Sequence, residues 1–419
     1  MVGAATGAQE MSKSAHRPGK AQRTTVRYSG SSGNPANGCR WRGDVILTED
    51  QRQIRDSVRA FAQERIRPDS GRFEAEGGFP PALFRDLGAM GLMGMTAPAE
   101  WGGAGADSVA YALALIELAA ADGALSTIVS IQNSILVNGL LQHGSAAQQA
   151  RWLPALIAGE AIGAFALTES EAGSDAAAIR TRATRVDGGW RIDGAKQFIT
   201  SGRIASVAIV IAVTDPALGR RGISAFLVPT DTPGFSVDKV EHKLGQGASD
   251  TCALRFDACV VPEDALFGAE GRGYALALAN LEAGRIGIAA QAVGMAQAAL
   301  AIATGYARER RSFGKPILEH QAVGFRLADL ATRLEAARQL VLHAAALKDA
   351  GAPALEAASM AKLFASETAE AVVSGALQTL GGYGYLEEFG IARIYRDVRV
   401  CQIYEGTSDV QRMVIARGL

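Results

Sequence analysis

The chain has 419 residues, and its 42 Lys and Arg against 43 Asp and Glu leave a formal net charge of -1 at pH 7. This near-neutral balance excludes binding of nucleic acid through a broadly basic surface. Hydrophobic residues make up 48% of the chain and charged residues 20%, as in globular proteins, and the length allows about two to four domains. The 48 glycines and 6% aromatic residues indicate alanine-rich helices with glycine-rich connections.

The sequence predicts neither a membrane span nor a metal centre. No uninterrupted apolar stretch approaches the roughly 18–20 residues that a span requires. The four cysteines form no C-x-x-C pair, and the five histidines form no H-x-x-x-H pair. We therefore expect no disulfide framework and no zinc site.

Residues 1–43 form a tail of different composition from the rest of the chain. They are rich in Gly, Ala, Ser, Arg and Lys, and Glu10 is their only acid. Without apolar periodicity this composition predicts disorder, and without an apolar core segment it excludes a secretory signal. A mitochondrial transit peptide, a bacterial tail and a misplaced start codon all fit. We favour a cytoplasmic bacterial protein, with the mitochondrial matrix as the location if the tail is a transit peptide.

Residues 44–160 are predicted to form an all-helical N-terminal domain. Thr48 with Gln51 has the spacing of a capping box, and Ile54, Val58 and Phe61 follow at near-helical spacing. Glycine clusters separate the helical patterns. Further helices are predicted over residues 81–90, 108–121, 126–143 and 146–158.

Residues 161–270 show the shorter period of β-strands. Turn signals such as Asp187-Gly188-Gly189 and Asp193-Gly194 separate apolar runs. The predicted strands cover residues 164–167, 190–192, 197–201, 207–213, 223–228 and 252–256. Because no helices lie between them, the pattern predicts an antiparallel, β-barrel-like domain and not a Rossmann sheet.

Residues 271–419 return to the helical period. Val323, Leu327, Leu330 and Leu334 mark one face of a long helix, and residues 276–308, 354–380 and 406–417 follow the same pattern. Long helices with short links predict a C-terminal four-helix bundle. The predicted fold class is therefore α+β and multidomain, with helices, a β domain and a helical bundle in that order.

The common motifs G-x-G-x-x-G, G-x-x-x-x-G-K-[ST] and G-x-S-x-G are absent, so a nucleotide cofactor would need another mode of binding. Six segments instead resemble, in order and spacing, the motifs of the acyl-CoA dehydrogenase family, and the match runs from about residue 45 to the C-terminus. The segments are FALTESEAGSD (165–175), KQFITSG (196–202), LEAGRIGIA (281–289), RERRSFGK (308–315), QTLGGYG (378–384) and IYEGTS (403–408).

This resemblance implies an enzyme with non-covalent FAD, usually a homotetramer. The implied reaction is α,β-dehydrogenation of an acyl-CoA to the trans-2-enoyl-CoA, with β-hydride transfer to flavin N5. Electrons would pass to electron-transfer flavoprotein, in fatty acid β-oxidation or branched-chain amino acid catabolism. Two alternatives stay open: an oxygen-using acyl-CoA oxidase or flavin monooxygenase of the same fold, and a non-catalytic helical binding protein, against which the intact motifs argue.

Glu405 is the candidate catalytic base. Ile403 and Tyr404 precede it and Gly406 follows, so an apolar wall and a close backbone approach are expected. A carboxylate shielded from water has a raised pKa and is a better base near neutral pH. A surface Glu at a helix start is the alternative. The resemblance implies that Glu405 takes the α-proton, since the position used by some relatives is Gly284 here.

The resemblance also implies FAD contacts at strand ends, at the helix joins and after the base. From the residues alone, the Phe and Thr side chains could be β-core and the Arg run 308–311 a solvated face. Asp409 departs from the Glu or Gln that is common in the family. The implied cofactor residues are Phe165, Leu167, Thr168, Gly173, Ser174, Phe198, Ile199, Thr200, Arg310, Ser312, Phe313, Gln321, Thr407, Ser408 and Asp409, with Gln378, Gly381 and Gly382 approaching from a neighbouring subunit.

Five residues match acyl-CoA-binding positions, namely Ser174, Tyr274, Glu282, Arg285 and Gly406. Arg285 could bind the adenosine end of CoA, order the surroundings of Glu405, or pair with Glu282. The segment GRIGIAAQ (284–291) resembles short-chain and short-branched-chain members, whereas LEAAR (334–338) and ASMAKLFAS (358–366) lean toward the branched-chain side. We expect a short or short-branched acyl group.

Overall fold

The computed structural model of the protein describes residues 47–419, except the side chains of residues 282 and 283. The predicted disordered tail, 1–43, lies outside the described residues. Helices, then a β-sheet, then helices follow one another along the chain. The predicted α+β class is confirmed.

The N-terminal region consists of helices around an apolar core. The capping box is confirmed, since the Thr48 hydroxyl accepts from the Gln51 N–H and the Gln51 side chain accepts from the Thr48 N–H. The predicted helix 126–143 begins earlier and is continued through a π-helical turn, Gln132–Val137. The helices are α1 (Glu49–Phe61), α2 (Ser70–Glu76), α3 (Pro81–Ala89), α4 (Ser108–Ala121), α5 (Gly123–Ile131), α6 (Asn138–His143) and α7 (Ala146–Ile157).

Within residues 47–419, two helical stretches are long and apolar enough to cross a membrane, Gly123–His143 and Gly273–Glu309. In each, 83% of the most apolar window is buried inside the protein. Core helices have the same property, so packing within the fold accounts for the apolar character of both.

The middle region is one eight-stranded sheet with the order β6-β7-β3-β2-β4-β5-β8, and β1 pairs with β4 off this path. Most pairs are antiparallel, but β1–β4 and β2–β4 are parallel. No pairing joins β6 to β8, so the predicted barrel-like closure is corrected to an open, mixed sheet. The strands are β1 (Gly163–Ala166), β2 (Arg182–Val186), β3 (Gly189–Thr200), β4 (Val207–Val213), β5 (Ile223–Pro229), β6 (Phe235–Val240), β7 (Thr251–Pro262) and β8 (Leu266–Phe267).

Three strands of this sheet, β2, β6 and β8, were not predicted. Most residues of β2 and β6 are exposed, and β8 has only two residues. The predicted strands 190–192 and 197–201 are parts of one strand, β3. Its register against β7 shifts between Lys196 and Ile199, and Phe198 there has a φ of +60°. A β-bulge of this kind bends a strand and redirects a side chain.

The C-terminal region contains three long helices that pack on one another, with α4 of the N-terminal region packed on the first of them. The helices approach closely where side chains are missing: a Cβ on Gly294 would lie 2.2 Å from the Ile116 carbonyl oxygen. The domain limits at residues 160 and 270 stay a prediction. The elements are α8 (Gly273–Glu309), β9 (Arg311–Ser312), β10 (Lys315–Pro316), α9 (Gln321–Asp349), α10 (Leu355–Leu380), α11 (Ile391–Val398) and α12 (Ser408–Ala416).

Candidate active site

Glu405 lies in a left-handed turn between a 3-10 turn, Arg399–Gln402, and α12. Its φ is +55°, and that of Gly406 is +85°. Thr407 is the N-cap of α12, since its hydroxyl accepts from the Val410 N–H. A non-glycine residue in this conformation is strained, and such strain is concentrated at functional sites.

The Glu405 carboxylate lies against Gly284 of α8. A Cβ on Gly284 would be only 2.1 Å from Glu405 Oε2, so the missing side chain creates the space for the carboxylate. Oε2 is buried and has no hydrogen-bond partner among the described residues. Burial raises the pKa of Glu405 to about 7, although the positive charges of Arg285 and Lys362 oppose the shift. The group is thus suited to accept a proton near neutral pH.

A second glycine continues the bare face of α8. A Cβ on Gly287, one turn after Gly284, would lie 2.3 Å from Ser130 Oγ and 3.1 Å from the Tyr111 hydroxyl. Two glycines three residues apart share one face of a helix. This face of α8 therefore admits the Glu405 carboxylate and the polar groups of two neighbouring helices.

Tyr404, next to the base, is held by a buried polar network. Its hydroxyl donates to Gln291 Oε1. Gln291 Nε2 in turn donates to the Gly123 carbonyl at 2.6 Å and to Thr127 Oγ1 at 2.5 Å. Because buried polar groups that are fully bonded rigidify their surroundings, this network fixes the backbone that enters the Glu405 turn.

Two fully buried side chains bind the main chain of the Glu405 turn. Lys362 Nζ donates to the Gly406 carbonyl at 2.7 Å. Gln411 Nε2 donates to the same carbonyl at 2.9 Å and to the Glu405 carbonyl at 3.2 Å. Sequence reasoning missed both residues. A signal existed for Lys362, which shares a face of α10 with Ala358 and Ala365, where burial of a lysine is unusual.

The structure brings together the two β-domain segments that were predicted to bind the flavin ring. The Gln197 N–H donates to the Thr168 carbonyl at 2.8 Å, and Lys196 Nζ donates to the Leu167 carbonyl at 2.9 Å. Phe198, at the bulge, is 62% exposed. Ile199 is buried and pairs with Cys252, and Thr200 pairs with Thr251.

Lys196 was missed by sequence reasoning, although it begins the motif KQFITSG. It is fully buried and donates to Glu169 Oε1 at 2.8 Å. Burial lowers the pKa of Lys196 to about 8, against the charge of Glu169. The Glu169 pKa lies below its usual value, because Lys196 and the N–H donors of Thr181 and Arg180 outweigh its burial. This ion pair joins β3 to the segment that follows β1.

The remaining β-domain candidates lie at the edge of this region. Phe165 is half-buried in β1, where it pairs with Ile209. Gly173 and Ser174 are exposed, and a Cβ on Gly173 would meet no atom within 4 Å. They provide an open surface and no fixed pocket by themselves.

A cavity of about 460 Å³ collects five of the predicted cofactor residues from two segments. Gly381 and Gly382 leave part of its wall open, since a Cβ on either would meet no atom within 4 Å. The Arg310 guanidinium carbon lies 5.8 Å from the centre of the Tyr383 ring, which also lines the cavity. The five predicted residues are Arg310, Ser312, Gln378, Gly381 and Gly382.

The other predicted cofactor residues are more dispersed. Phe313 is 95% exposed with a φ of +49°, and Gln321 is exposed at the start of α9; neither lines the cavity. Ser408 Oγ is buried without a hydrogen-bond partner in the described part of the chain. The Thr407 hydroxyl caps α12, and Asp409 pairs with Arg412 at 3.2 Å on the surface.

Among the predicted acyl-CoA residues, Arg285 is the one whose charge acts on the Glu405 carboxylate. It is 7% exposed, its Nη1 donates to Ser359 Oγ at 3.4 Å, and its charge lowers the pKa of Glu405. The Glu282 side chain lies outside the described residues, so pairing with Arg285 stays untested. Tyr274 is half-buried, and the guanidinium carbon of Arg220, a residue that was not predicted, lies 5.3 Å from its ring centre.

Models of the acyl-CoA dehydrogenase N-terminal, middle and C-terminal domains match residues 48–160, 164–259 and 271–419. The chain belongs to the acyl-CoA dehydrogenase family. Enzymes of this family are FAD flavoproteins that oxidise acyl-CoA thioesters. The resemblance of the six motifs is therefore confirmed.

Two curated relatives have similar lengths. An acyl-CoA dehydrogenase of Bacillus subtilis is 46% identical over 89% of this chain and 98% of its own length. The human mitochondrial short-chain specific acyl-CoA dehydrogenase is 44% identical over 89% of this chain and 90% of its own length. Nearly all of the described chain is thus shared with both.

Solved structures show the same fold. The butyryl-CoA dehydrogenase of Megasphaera elsdenii is 40% identical, covers 89% of this chain and 98% of its own, and has a TM-score of 0.86. A glutaryl-CoA dehydrogenase of Mycobacterium smegmatis, solved in complex with FADH2, is 35% identical with a TM-score of 0.86, covering 90% of this chain and 96% of its own.

The described residues fit FAD on structural grounds. The cavity beside Arg310 has glycine walls and a guanidinium, which suits phosphate oxygens. Phe198 presents an aromatic ring at the bulge of β3, and Ser408 has a buried hydroxyl with no partner in the described chain. An aromatic ring, a guanidinium beside open glycine walls and a hydroxyl are groups that suit the ring, the phosphates and the polar atoms of a flavin dinucleotide.

Proposed function

We propose that this enzyme oxidises a short or short-branched acyl-CoA to the trans-2-enoyl-CoA, with Glu405 as the base that removes the α-proton. The observation that carries the proposal is the Glu405 carboxylate, whose Oε2 is buried in the space that Gly284 leaves open. FAD, when bound, supplies the hydride acceptor at N5 for the hydrogen of the next carbon.

The chain supports the role of base in three ways. A pKa of about 7 makes the Glu405 carboxylate a stronger base than an exposed one and keeps much of it ionised near neutral pH. Oε2 has no hydrogen bond within the described part of the chain that must break before it accepts a proton. The Glu405 N–H is assigned, from the resemblance, to polarise the thioester carbonyl, and Gly406 permits close approach of the substrate.

We assign the flavin ring to the bulge of β3 and the adjoining segment, with Leu167, Thr168 and Phe198–Thr200 as contacts. Phe165, Gly173 and Ser174 border this region, and Ser174 also belongs to the acyl-CoA set with Tyr274, Glu282 and Arg285. The hydrogen bond from Lys196 to the Leu167 carbonyl supports the assignment, since it fixes the spacing between β3 and the segment of Leu167 and Thr168.

The pyrophosphate and adenine are assigned to the cavity beside Arg310. Its lining supports a change from the sequence-based interpretation, in which Arg310 and Gln378 belonged to different subunits. Both line one cavity of one chain, so we assign them to one cofactor that the same subunit contacts through both residues. Phe313, Gln321, Thr407, Ser408 and Asp409 are kept as outer contacts. We also propose a homotetramer, which comes from the family resemblance alone.

The acyl group and the electron acceptor are finer points of the same proposal. A short acyl group is supported by the human short-chain enzyme and by the bacterial butyryl-CoA dehydrogenase among the relatives. The branched alternative rests on the segments 334–338 and 358–366. We propose electron-transfer flavoprotein as the acceptor, in fatty acid oxidation.

The test is an anaerobic panel in which straight and branched acyl-CoAs of increasing length are added and bleaching of the flavin is followed. We expect the fastest bleaching with butyryl- or 2-methylbutyryl-CoA. Glu405→Gln should keep the yellow flavin but slow bleaching by about 10²–10⁴-fold, the usual contribution of a general base. Glu76→Gln, which loses only an exposed ion pair with Arg72, is the matched control.

Normal bleaching by Glu405→Gln would refute its role as the base. Oxygen uptake as fast as reduction of electron-transfer flavoprotein would favour the oxidase alternative.

Stability offers a check that needs no substrate. Folding raises the Glu405 pKa from 4.5 to about 7, so the folded state binds this proton more tightly than the unfolded state. The stability that the bound proton contributes is fully present below pH 4.5 and is lost as the pH rises through 7. Glu405→Gln should therefore raise the melting temperature at pH 8.

A further inference from the structure

Lys362 is a buried lysine without an ordinary ion pair. Its side chain is fully buried on α10, and no carboxylate lies within ion-pair distance of it among the described residues. Its hydrogen bond goes to the Gly406 carbonyl, at 2.7 Å. Burial of an ammonium group is costly unless it is paired, so a lysine in this position calls for an explanation beyond packing.

The carbonyl that Lys362 binds belongs to the turn that carries the base. Glu405 and Gly406 are consecutive residues with φ of +55° and +85°, and the first of these is strained for a side-chain residue. Gln411 Nε2 donates to both carbonyls of this turn. Lys362 from α10 and Gln411 from α12 thus hold the turn from two helices, which directs the carboxylate toward Gly284.

The charges around the base are few. The groups that act on Lys362 are Cys401, Glu405, Arg285 and Glu367, and burial brings its pKa to about 8. Among the described side chains, the cations that act on Glu405 are Arg285 and Lys362, and the Tyr111 hydroxyl is a further titratable group that interacts with it. Burial keeps the thiol of Cys401 and the hydroxyl of Tyr111 protonated, since it raises their pKa values.

We propose that Lys362 is a positioning residue for Glu405. Its ammonium holds the Glu405–Gly406 turn through the Gly406 carbonyl, and together with Arg285 it supplies the positive charge that keeps the carboxylate ionised near neutral pH. Gln411 shares the mechanical part of this role but carries no charge. The inference rests on the proposed function, in which Glu405 is the base.

Two variants separate the charge from the hydrogen bond. Lys362→Met should raise the Glu405 pKa, so the acid limb of the kcat/KM profile moves up by about one pH unit and activity at pH 6.5 falls about tenfold. Gln411→Met should lower kcat about tenfold at every pH and leave the limb in place. Lys243→Met removes a lysine-to-carbonyl bond that goes to Ser249 and not to this turn, and should change neither.

Flavin absorbance and melting temperature show whether each variant is folded and loaded. If Lys362→Met does not fold, Lys362→Arg decides: it keeps the charge, so the acid limb should stay while kcat falls because the turn is displaced. An unmoved limb in a folded Lys362→Met, or wild-type kcat and limb in Lys362→Arg and Gln411→Met together, would overturn the proposal.

A stability cycle separates this inference from the proposed function. At pH 7.5, Lys362→Met should lower the melting temperature more in the wild type than in the Glu405→Gln background, where the facing carboxylate is gone. Equal losses in the two backgrounds would contradict the electrostatic role. The cycle needs no substrate. If none of the acyl-CoAs bleached the flavin, the proposed function would be refuted, but the cycle could still be interpreted.

Discussion

Two regions of the candidate site each contain a fully buried lysine, and the two lysines differ in their partners: the flavin wall is the segment of β3 around Lys196 with the Leu167 segment, and the base wall is the Glu405 turn with Lys362 of α10. Lys196 of the β-sheet donates to the Leu167 carbonyl at 2.9 Å, and Lys362 of the bundle donates to the Gly406 carbonyl at 2.7 Å. Burial lowers the pKa of each to about 8. Lys196 has Glu169 at 2.8 Å, whereas Lys362 has no carboxylate at ion-pair distance in the described chain.

The difference indicates two uses of one residue type. At Lys196 the ammonium charge is neutralised by Glu169. The lysine therefore links two backbone segments, and its charge has little electrostatic effect on the rest of the site. Where no carboxylate pairs with it, as at Lys362, its positive charge acts on the Glu405 carboxylate. The flavin wall is thus expected to depend on pairing, and the base wall on space and charge.

Lys196→Met tests the flavin wall and should have the largest effect. Removal of Lys196 leaves the Glu169 carboxylate with two backbone N–H donors but no counter-charge, at a cost of about 3–5 kcal/mol in the free energy of unfolding. Thermal or denaturant unfolding measures this loss, and visible flavin absorbance after gel filtration should show that FAD is retained less well.

The control on the same strand is Arg191→Met, whose ion pair with Asp193 is half exposed and contributes about 0–1 kcal/mol. If Lys196→Met were no less stable than Arg191→Met, the claim that the flavin wall depends on the Lys196–Glu169 ion pair would be wrong.

Gly284→Ala tests the base wall through space alone. The new Cβ would lie 2.1 Å from Glu405 Oε2, so the carboxylate must move, and a shift of about 1 Å can slow a reaction about 10²-fold. The rate of anaerobic flavin bleaching measures the loss. Gly305→Ala lies on the same helix, meets no atom within 4 Å and should bleach normally. Equal rates in the two variants would remove the spatial argument.

Arg310→Ala tests the phosphate cavity, which lies outside both walls, and should have the smallest effect. Loss of a charge-assisted contact to the pyrophosphate should weaken FAD binding about tenfold. Titration of the apoprotein with FAD measures it. Arg311→Ala, which only removes a bond to the Gly314 carbonyl, is the neighbouring control, and FAD affinities equal to it would count against the assignment of Arg310.

Most helices could be predicted because their apolar faces repeat along the chain, and the Thr48 capping box depends only on residues three apart. The strands β2 and β6 could not, since their exposed residues carry little apolar alternation. The open sheet was also out of reach, because the parallel pairing of β4 with β1 and β2 joins strands that are distant in sequence.

By itself the sequence determined the order of helical and β regions, the family motifs and the choice of Glu405 over Gly284. The tertiary structure decided what surrounds these residues: the Glu405 carboxylate in the space beside Gly284, Arg310 with Gln378 around one cavity, and the buried lysines at the two walls. The reason is physical. Burial, and with it the pKa of a carboxylate or an ammonium, depends on segments far apart in the chain, which local pattern does not bring together.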